Sequence, residues 1–338
     1  MKKQIIVTGG AGYIGSHTCV ELIEAGYLPI IVDDFSNSKH FIVERIERIT
    51  GVKPELIEMN CLHYGSLIKQ LERYTNIAGL IHFAAFKAVG ESTEKPLEYY
   101  DNNIGSTVNM IKLLRHFNLN NFIFSSSCTV YGQPEKLPVT EESPILPAES
   151  PYGRTKQVCE DIIKDNAKCN STFKAVSLRY FNPIGAHPSS LIGELPLGVP
   201  NNLVPYITQT AAGLRDKLSI FGNDYDTPDG TCIRDYIHVV DLAKAHVAAL
   251  EYAESKPHGL YEIFNLGSGQ GNSVLEVVKT FEEVSSTALS YTFAPRRAGD
   301  VVQVYADVNK SQEIMGWKTE LSLATALKDA WNWEKTLN

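Results

Sequence analysis

The sequence predicts an α/β protein, a doubly wound parallel sheet with a smaller α/β domain attached. Short apolar, β-branched runs alternate with helical patterns, a glycine-rich turn follows the first run, and the texture changes after Arg179. Such alternation marks βαβ units, whose strands are buried on both faces and read as near-continuous apolar runs. The runs are Ile5 to Thr8, Pro29 to Val32, Leu80 to Phe83, Phe122 to Ser125 and Ala175 to Leu178. Beyond them, Pro183, Gly185, Pro188, Gly193, Pro196, Gly198 and Pro200 make residues 181–203 loop-rich, and a second domain is expected to start there. A helical pattern from Val239 to Ala253 and a strand pattern from Tyr261 to Leu266 imply that the chain crosses between domains more than once. The expected division is 1–180 plus about 235–260 for the larger domain, and about 181–234 plus 261–338 for the smaller.

Composition fits such a chain. With 43% apolar and 21% charged residues the 338-residue sequence has no disordered character, and it is long enough for one large domain and a companion. A formal charge of −8 argues against broad nucleic-acid or anionic-membrane surfaces, leaving room for one small anion held by local arginines. The apolar run at Ile5 stops at Gly9, too short for a signal segment, and no stretch approaches the ~20 residues of a membrane span. Six cysteines, at 19, 61, 128, 159, 169 and 232, lack paired spacing, so reduced thiols in a cytoplasm are expected. Cys61, His63 and His82 have no further ligands at suitable spacing, and no metal is expected.

The first run leads directly into Gly9-Gly10-Ala11-Gly12-Tyr13-Ile14-Gly15 and then a helical pattern. Glycines at 9, 12 and 15 allow a tight turn, let backbone amides approach a pyrophosphate and let the helix pack on the sheet, while the helix N-terminus favours the negative charge. Strand, turn, helix and an acidic residue closing the next strand, Asp33, together predict a Rossmann-type dinucleotide site. Asp33 suits a ribose diol and would repel a 2′-phosphate, so NAD is expected rather than NADP.

Tyr152-Gly153-Arg154-Thr155-Lys156 opens an amphipathic helix, and four-residue spacing puts phenol and ammonium on one face. Bringing a phenol from about 10 to near neutrality costs roughly 4 kcal/mol, which a lysine cation and an oxidised nicotinamide are suited to supply. Phe122 to Ser127 ends a predicted parallel strand, where open α/β sheets bind ligands. A hydroxyl there, with the tyrosine and lysine, would orient a substrate alcohol and share its proton.

These motifs, with VTGGAGYIGSHT at 7–18, FKAVGES at 86–92, PLEYYDNN at 96–103, FIFSSSCTVYG at 122–132, SPYGRTK at 150–156, LRYFNPIGAHPS at 178–189, RDYIHVVDLA at 234–243 and APRRAGD at 294–300, carry a resemblance over nearly the whole chain. The sequence resembles the extended short-chain dehydrogenase/reductase superfamily and, within it, the UDP-glucose (UDP-galactose) 4-epimerases. The resemblance implies Tyr152 as acid/base, Ser127 as its hydroxyl partner and Lys156 as electrostatic support and ribose contact. It implies NAD contacts from Gly9, Gly12, Tyr13, Ile14, Gly15, Asp33, Asn37, Asn60, Cys61, Phe83, Ala84, Lys87, Asn102, Tyr152, Lys156 and Tyr180. The UDP-sugar would meet Lys87, Ser127, Tyr152, Asn182, Asn202, Leu203, Phe221, Arg234, Tyr236, Arg297, Asp300 and Val304, in the smaller, substrate-binding domain for the most part. Guanidinium groups beyond the cofactor domain suit a diphosphate on chemical grounds as well.

The implied reaction has ionised Tyr152 take the proton of the sugar 4-hydroxyl while the C4 hydride moves to NAD. The ketone turns over, hydride returns to its other face, and NAD stays bound. A homodimer through helices near 95–116 and 152–167 is implied too. A nucleotide-sugar 4,6-dehydratase is the nearest alternative, but it needs further acid/base groups beside the catalytic hydroxyl, and this chain reads Ser127-Cys128-Thr129. A non-catalytic NAD sensor on the same fold would be expected to lose Tyr152 or Lys156. Two positions stand out against the family. Asn60 replaces a usual acidic residue near the adenine, and Val304 stands where plain-hexose enzymes often carry a tyrosine, so UDP-GlcNAc and UDP-GalNAc are expected as further substrates unless Val304 is simply a strand residue turned into the core.

Overall fold

A computed structural model describes residues 2–297 and 300–337. The strands in chain order are β1 (Gln4–Thr8), β2 (Leu28–Asp33), β3 (Glu55–Glu58), β4 (Ile77–His82), β5 (Asn121–Ser125) and β6 (Lys174–Tyr180), then β7 (Asn182–Ile184), β8 (Leu218–Phe221) and β9 (Ile233–His238), and finally β10 (Leu260–Leu266), β11 (Gly271–Ser273), β12 (Tyr291–Ala294) and β13 (Gln303–Val304). Seven of them form one parallel sheet in the order β10-β6-β5-β4-β1-β2-β3.

The apolar runs exist because both faces of this sheet are covered. Ile5 and Val7 point into one core with Ile31, Ile81, Val176 and the helices Tyr13–Glu24 and Val239–Ser255. Ile6 points into the other with Ile30, Leu80, Phe122 and the helices Pro96–His116 and Pro151–Cys169. Period-two alternation thus appears in packing, although residues on both faces are mostly apolar. β3 escapes the pattern because, at the sheet edge, only Ile57 of its four residues is buried.

The chain lays β1, β2 and β3 outward in one direction and then crosses back to place β4 on the other side of β1. That reversal opens a crevice beyond the carboxyl ends of β1 and β4. The smaller unit is built on β9, paired with β7, β11 and β13, and packed on Val204, Ile207, Val277, Phe281 and Leu327. The division expected from sequence shifts at two points. Tyr261 to Leu266 lies in β10, which pairs along β6 as an edge of the large sheet, so the first return to the smaller unit comes after 266 rather than 260. β9 runs on to His238 within the smaller sheet, so the large unit resumes after 238 rather than at 235.

Candidate active site

The glycine loop fits a dinucleotide in a way no substituted loop would. Gly9 sits at φ +69°, and a Cβ there would lie 2.9 Å from the Ala84 nitrogen, while one at Gly15 would lie 2.2 Å from the Gly9 carbonyl. Gly12 is the N-cap of the helix beginning at Tyr13, with no side-chain cap and no acidic residue in the first turn, so the positive helix end stays open to an anion. Ile14 packs against the neighbouring core, and the Tyr13 hydroxyl donates to the Gly185 carbonyl at 2.7 Å, tying the loop to the segment after β7. The Phe83 and Ala84 amides face Thr8 at the top of β1, at 3.0 Å to its carbonyl and 3.4 Å to its hydroxyl, and wall the crevice.

Asp33 ends β2 with its carboxylate buried. It accepts from the Ala11 amide at 2.9 Å, the Phe35 amide at 3.0 Å and the Ser38 hydroxyl at 2.9 Å. Burial pushes this carboxyl above the ordinary range, and those three bonds work against the rise. Asn37 lies exposed in the turn that follows. Asn60, expected near the adenine, donates to Asp34 at 2.7 Å while its carbonyl accepts from the Leu62 amide at 2.8 Å, so both ends of its carboxamide already have a partner. Cys61 is buried beside it, its thiol pushed up to about 12 by burial. Asn102 lies on the helix Pro96–His116 and donates to Asn103 at 3.1 Å.

At the end of β5 three consecutive serines take different partners. The Ser125 carbonyl accepts from the Lys156 ammonium at 2.7 Å, and its hydroxyl meets that of Tyr180 at 2.7 Å. Ser126 donates to Glu160 at 2.5 Å. The Ser127 hydroxyl accepts from the Thr129 amide at 3.3 Å and the Thr129 hydroxyl at 3.0 Å, which fixes its position while leaving its own proton to give. Opposite stands the helix Pro151–Cys169, started by Ser150 capping Gly153 and by Pro151 in the first turn. Its first turn carries Tyr152 and its second Lys156, both buried.

Burial pushes the Tyr152 phenol above its ordinary value, Tyr180 adds to the rise, and Ser127 draws it back. Burial lowers Lys156 to about 8, with Cys159 and Glu160 pulling the other way. The lysine ammonium faces the Ser125 carbonyl and lies 5.9 Å from the Tyr152 ring centre. Burial thus works against the ionisation that the sequence reading assigns to lysine and cofactor together.

In the smaller unit, Asn182 opens β7 in register with Tyr236 of β9, and Arg234 of β9 lies in register with Val304 of β13. One carboxylate, Asp300, stands 2.8 Å from Arg297 and 3.6 Å from Arg234. The Arg297 guanidinium lies 5.7 Å from the Phe221 ring centre, and Phe221 is exposed. This gives a flat aromatic face beside two fork-shaped cations, a combination suited to a base and a diphosphate. Ala298 and Gly299 of the APRRAGD stretch lie outside the described residues. Asn202 and Leu203 stand at the N-terminus of the helix Leu203–Ala211. Val304 is buried in one apolar cluster with Phe181 and with Val130 and Tyr131, the last two on the segment that leaves Ser127.

Sequence reasoning missed Thr129, Glu194 and the Glu160–Arg179 pair. Lys87 lies 3.3 Å from Glu194, and Asn202 lies 2.6 Å from the same carboxylate oxygen. The signal for Glu160 was available: it stands four residues after Lys156, on a helix face that is otherwise buried.

A glycine loop, an acidic residue closing the second strand and a serine–tyrosine–lysine set define a member of the extended short-chain dehydrogenase/reductase superfamily. A family model described as GDP-mannose 4,6 dehydratase matches residues 6–330. The UDP-glucose 4-epimerase of Dictyostelium discoideum is 50% identical over 331 residues, covering 98% of this chain and 95% of that protein. The Homo sapiens enzyme of the same name is 47% identical over 341 residues, covering 99% and 97%. A UDP-glucose-4-epimerase structure from Stenotrophomonas maltophila, with bound NAD and formylated UDP-arabinopyranose, superposes with a TM-score of 0.96 at 43% identity, covering 99% of this chain and 98% of that one. One from Bifidobacterium longum, in complex with NAD+ and UDP, gives 0.94 at 44% identity, covering 99% and 98%. The chain belongs to the UDP-glucose 4-epimerase family.

Proposed function

We propose that the protein is an NAD-dependent UDP-hexose 4-epimerase that interconverts UDP-glucose and UDP-galactose through a transient 4-keto sugar. The observation that carries this reading is the meeting of Ser127, Tyr152 and Lys156 at the carboxyl end of the parallel sheet, with Cys128 and Thr129 where an elimination would need carboxylates. NAD, when bound, supplies the capacity to oxidise and then re-reduce sugar C4. Ionised Tyr152 accepts the proton of the 4-hydroxyl through its phenolate oxygen and later returns it, Ser127 orients the sugar hydroxyl, and Lys156, 5.9 Å from the Tyr152 ring centre, supplies positive charge. Arg234 and Arg297 anchor the diphosphate away from the chemistry, which leaves the hexose free to turn between its two faces.

The test is an assay of the purified chain with UDP-galactose and no added NAD. UDP-glucose is expected without net cofactor consumption, whereas stoichiometric NADH release or a 4-keto-6-deoxy product would overturn the reading. Six free cysteines, four of them buried, support a reducing, cytoplasmic setting, and among the described residues no helix is long and apolar enough to cross a membrane. A homodimer through the helices Pro96–His116 and Pro151–Cys169 is proposed on the family resemblance.

Val304 favours a wider substrate range. The resemblance sets this position beside the sugar, where a bulkier residue would crowd it at about 1 to 3 kcal/mol, whereas burial in the apolar cluster with Val130 and Tyr131 fits a plain core residue. Activity on UDP-GlcNAc and UDP-GalNAc is expected alongside the plain pair, and Val304→Tyr is expected to lose the acetylated pair selectively by roughly tenfold or more. Rates on both pairs, measured before and after the substitution, check this; equal change in the two removes Val304 as a gate.

A further inference from the structure

The connection from β5 to the helix Pro151–Cys169 leaves the sheet through Ser127 and reaches Tyr152 in the first turn of that helix. Its two ends lie side by side. Gly132 adopts φ +64°, and a Cβ there would lie 2.6 Å from the Pro147 carbonyl. Gly153, the residue after Tyr152, faces the Thr129 carbonyl, which a Cβ would approach to 3.2 Å. The short helical turn Cys128–Tyr131 is tied to Ser127 by the Val130 amide, which donates to the Ser127 carbonyl at 3.2 Å.

One side chain joins both ends of this connection. Gln157 follows Lys156, stands one turn beyond Gly153 on the same helix face, and is buried. Its amide nitrogen donates to the Val130 carbonyl at 2.8 Å and to the Leu146 carbonyl at 2.8 Å, while its own carbonyl accepts from the Arg154 guanidinium at 3.0 Å. Both amide hydrogens are therefore used, and the arginine fixes which way the carboxamide points. The Ser127 segment is thus held to the catalytic helix at two successive turns, by close approach at Gly153 and by hydrogen bonding at Gln157. We infer that Gln157 is a positioning residue: by holding Val130 and Leu146 to the helix that carries Tyr152 and Lys156, it sets the Ser127 hydroxyl against the Tyr152 phenol. The inference rests on the epimerase reading of the cleft.

The experiment compares wild type with Gln157→Met, which keeps the length of the side chain and removes both donors, on the NAD-loaded full chain. The readouts are kcat and KM on UDP-galactose, the pH profile of kcat/KM, UDP affinity by calorimetry and NAD content. A displacement of about 1 Å at a reacting group can cost about a hundredfold, so kcat is expected to fall by about ten- to a hundredfold. KM and UDP affinity are expected to stay within about twofold, with NAD retained. Ser127 draws the Tyr152 phenol down, whereas Tyr180, Cys128 and Tyr99 raise it, and the substitution removes none of these groups. A loosened Ser127 lets the phenol rise, so the acid limb of kcat/KM, along which that phenol loses its proton, is expected to move up by about 0.5 in pH or more. In a Ser127→Ala background, where the hydroxyl to be positioned is gone, Gln157→Met is expected to change kcat by less than about twofold. Gln157→Asn keeps a donor one methylene short and is expected to lower kcat by about three- to tenfold with the same movement of the acid limb; it decides the matter where the methionine variant does not fold.

Wild-type kcat in Gln157→Met overturns the inference. An equal loss with and without the Ser127 hydroxyl overturns it too, because Gln157 would then support the helix and not Ser127. A fall in kcat matched by a fall in NAD content or UDP affinity, with an unmoved acid limb, would make Gln157 a structural strut, and failure of both variants to fold would do the same. A wild-type chain that does not interconvert UDP-galactose and UDP-glucose overturns the epimerase reading itself, and with it this inference.

Discussion

Replacing Tyr152 with phenylalanine is expected to lower turnover by about 10²- to 10⁴-fold while UDP affinity stays within a few-fold of the parent. The substitution removes one oxygen and nothing else from a buried side chain whose ring packing is retained. In the proposed mechanism that oxygen exchanges a proton with the sugar 4-hydroxyl, and the Ser127 hydroxyl lies beside it. The arginines that suit the diphosphate stand on β9 and after β12, in the other unit, so the anchoring contacts are unaffected. Because burial raises the phenol in the absence of ligands, the parent chain is expected to depend on bound NAD for its activated form. Stopped-flow or steady-state rates on UDP-galactose, with UDP binding measured in parallel, check the claim. Near-parental turnover in the phenylalanine variant would remove Tyr152 from the acid/base role, and a large loss of UDP binding would show that its contribution is to anchoring instead.

What the sequence discloses depends on whether a feature is local. Strands β1, β2, β4, β5 and β6 are legible because two-sided burial makes most of their central residues apolar. The glycine loop and the first turn of the helix at Pro151 are legible because a tight turn and a four-residue repeat each lie within one short stretch. By contrast β12 alternates between exposed and half-buried positions and β13 is two residues long, so neither leaves a pattern to find. The placement of β10 is decided by its pairing with β6, in which Leu260 lies opposite Lys174, a contact no periodicity records.

The site divides in the same way. Ser127, Tyr152 and Lys156 are drawn together because a strand end and a helix start face each other across the sheet top, and their motifs are compact. The convergence of Lys87 and Asn202 on Glu194 joins residues 107 and 8 positions from that carboxylate, in a stretch whose prolines and glycines mark only a loop. The Asn60 side chain shows a different limit. Its residue type is visible in sequence, but only the structure shows its amide committed to Asp34 and its carbonyl to the Leu62 amide.

Replacing Glu160 with alanine is expected to destabilise the protein by about 3 to 5 kcal/mol, because it leaves a guanidinium buried without its counter-charge. Glu160 and Arg179 are both almost fully buried, and the arginine reaches the two carboxylate oxygens at 3.0 and 2.5 Å in a forked geometry. Burial alone would lower the Arg179 pKa; the hydrogen bonds and charge of Glu160 reverse that and hold it above the ordinary value. Ser126 donates to the same carboxylate, so the pair also fixes the strand end from which Ser127 projects. Replacing both partners by apolar residues of similar volume is expected to restore much of the stability, since the desolvation cost of two charges then disappears. Activity is expected to recover less completely. Glu160 is one of the groups that counter the lowering of Lys156 toward about 8, so without it the lysine loses its proton at a lower pH. The alkaline limb of kcat/KM, which reports the free enzyme, is therefore expected to move toward neutrality in the double variant. Denaturant unfolding of the single and double variants checks the first claim, and the pH profile of the double variant checks the second. A single variant as stable as the parent would show that Arg179 finds another partner or water, and an unmoved alkaline limb would show that Glu160 supports the strand end without tuning the lysine.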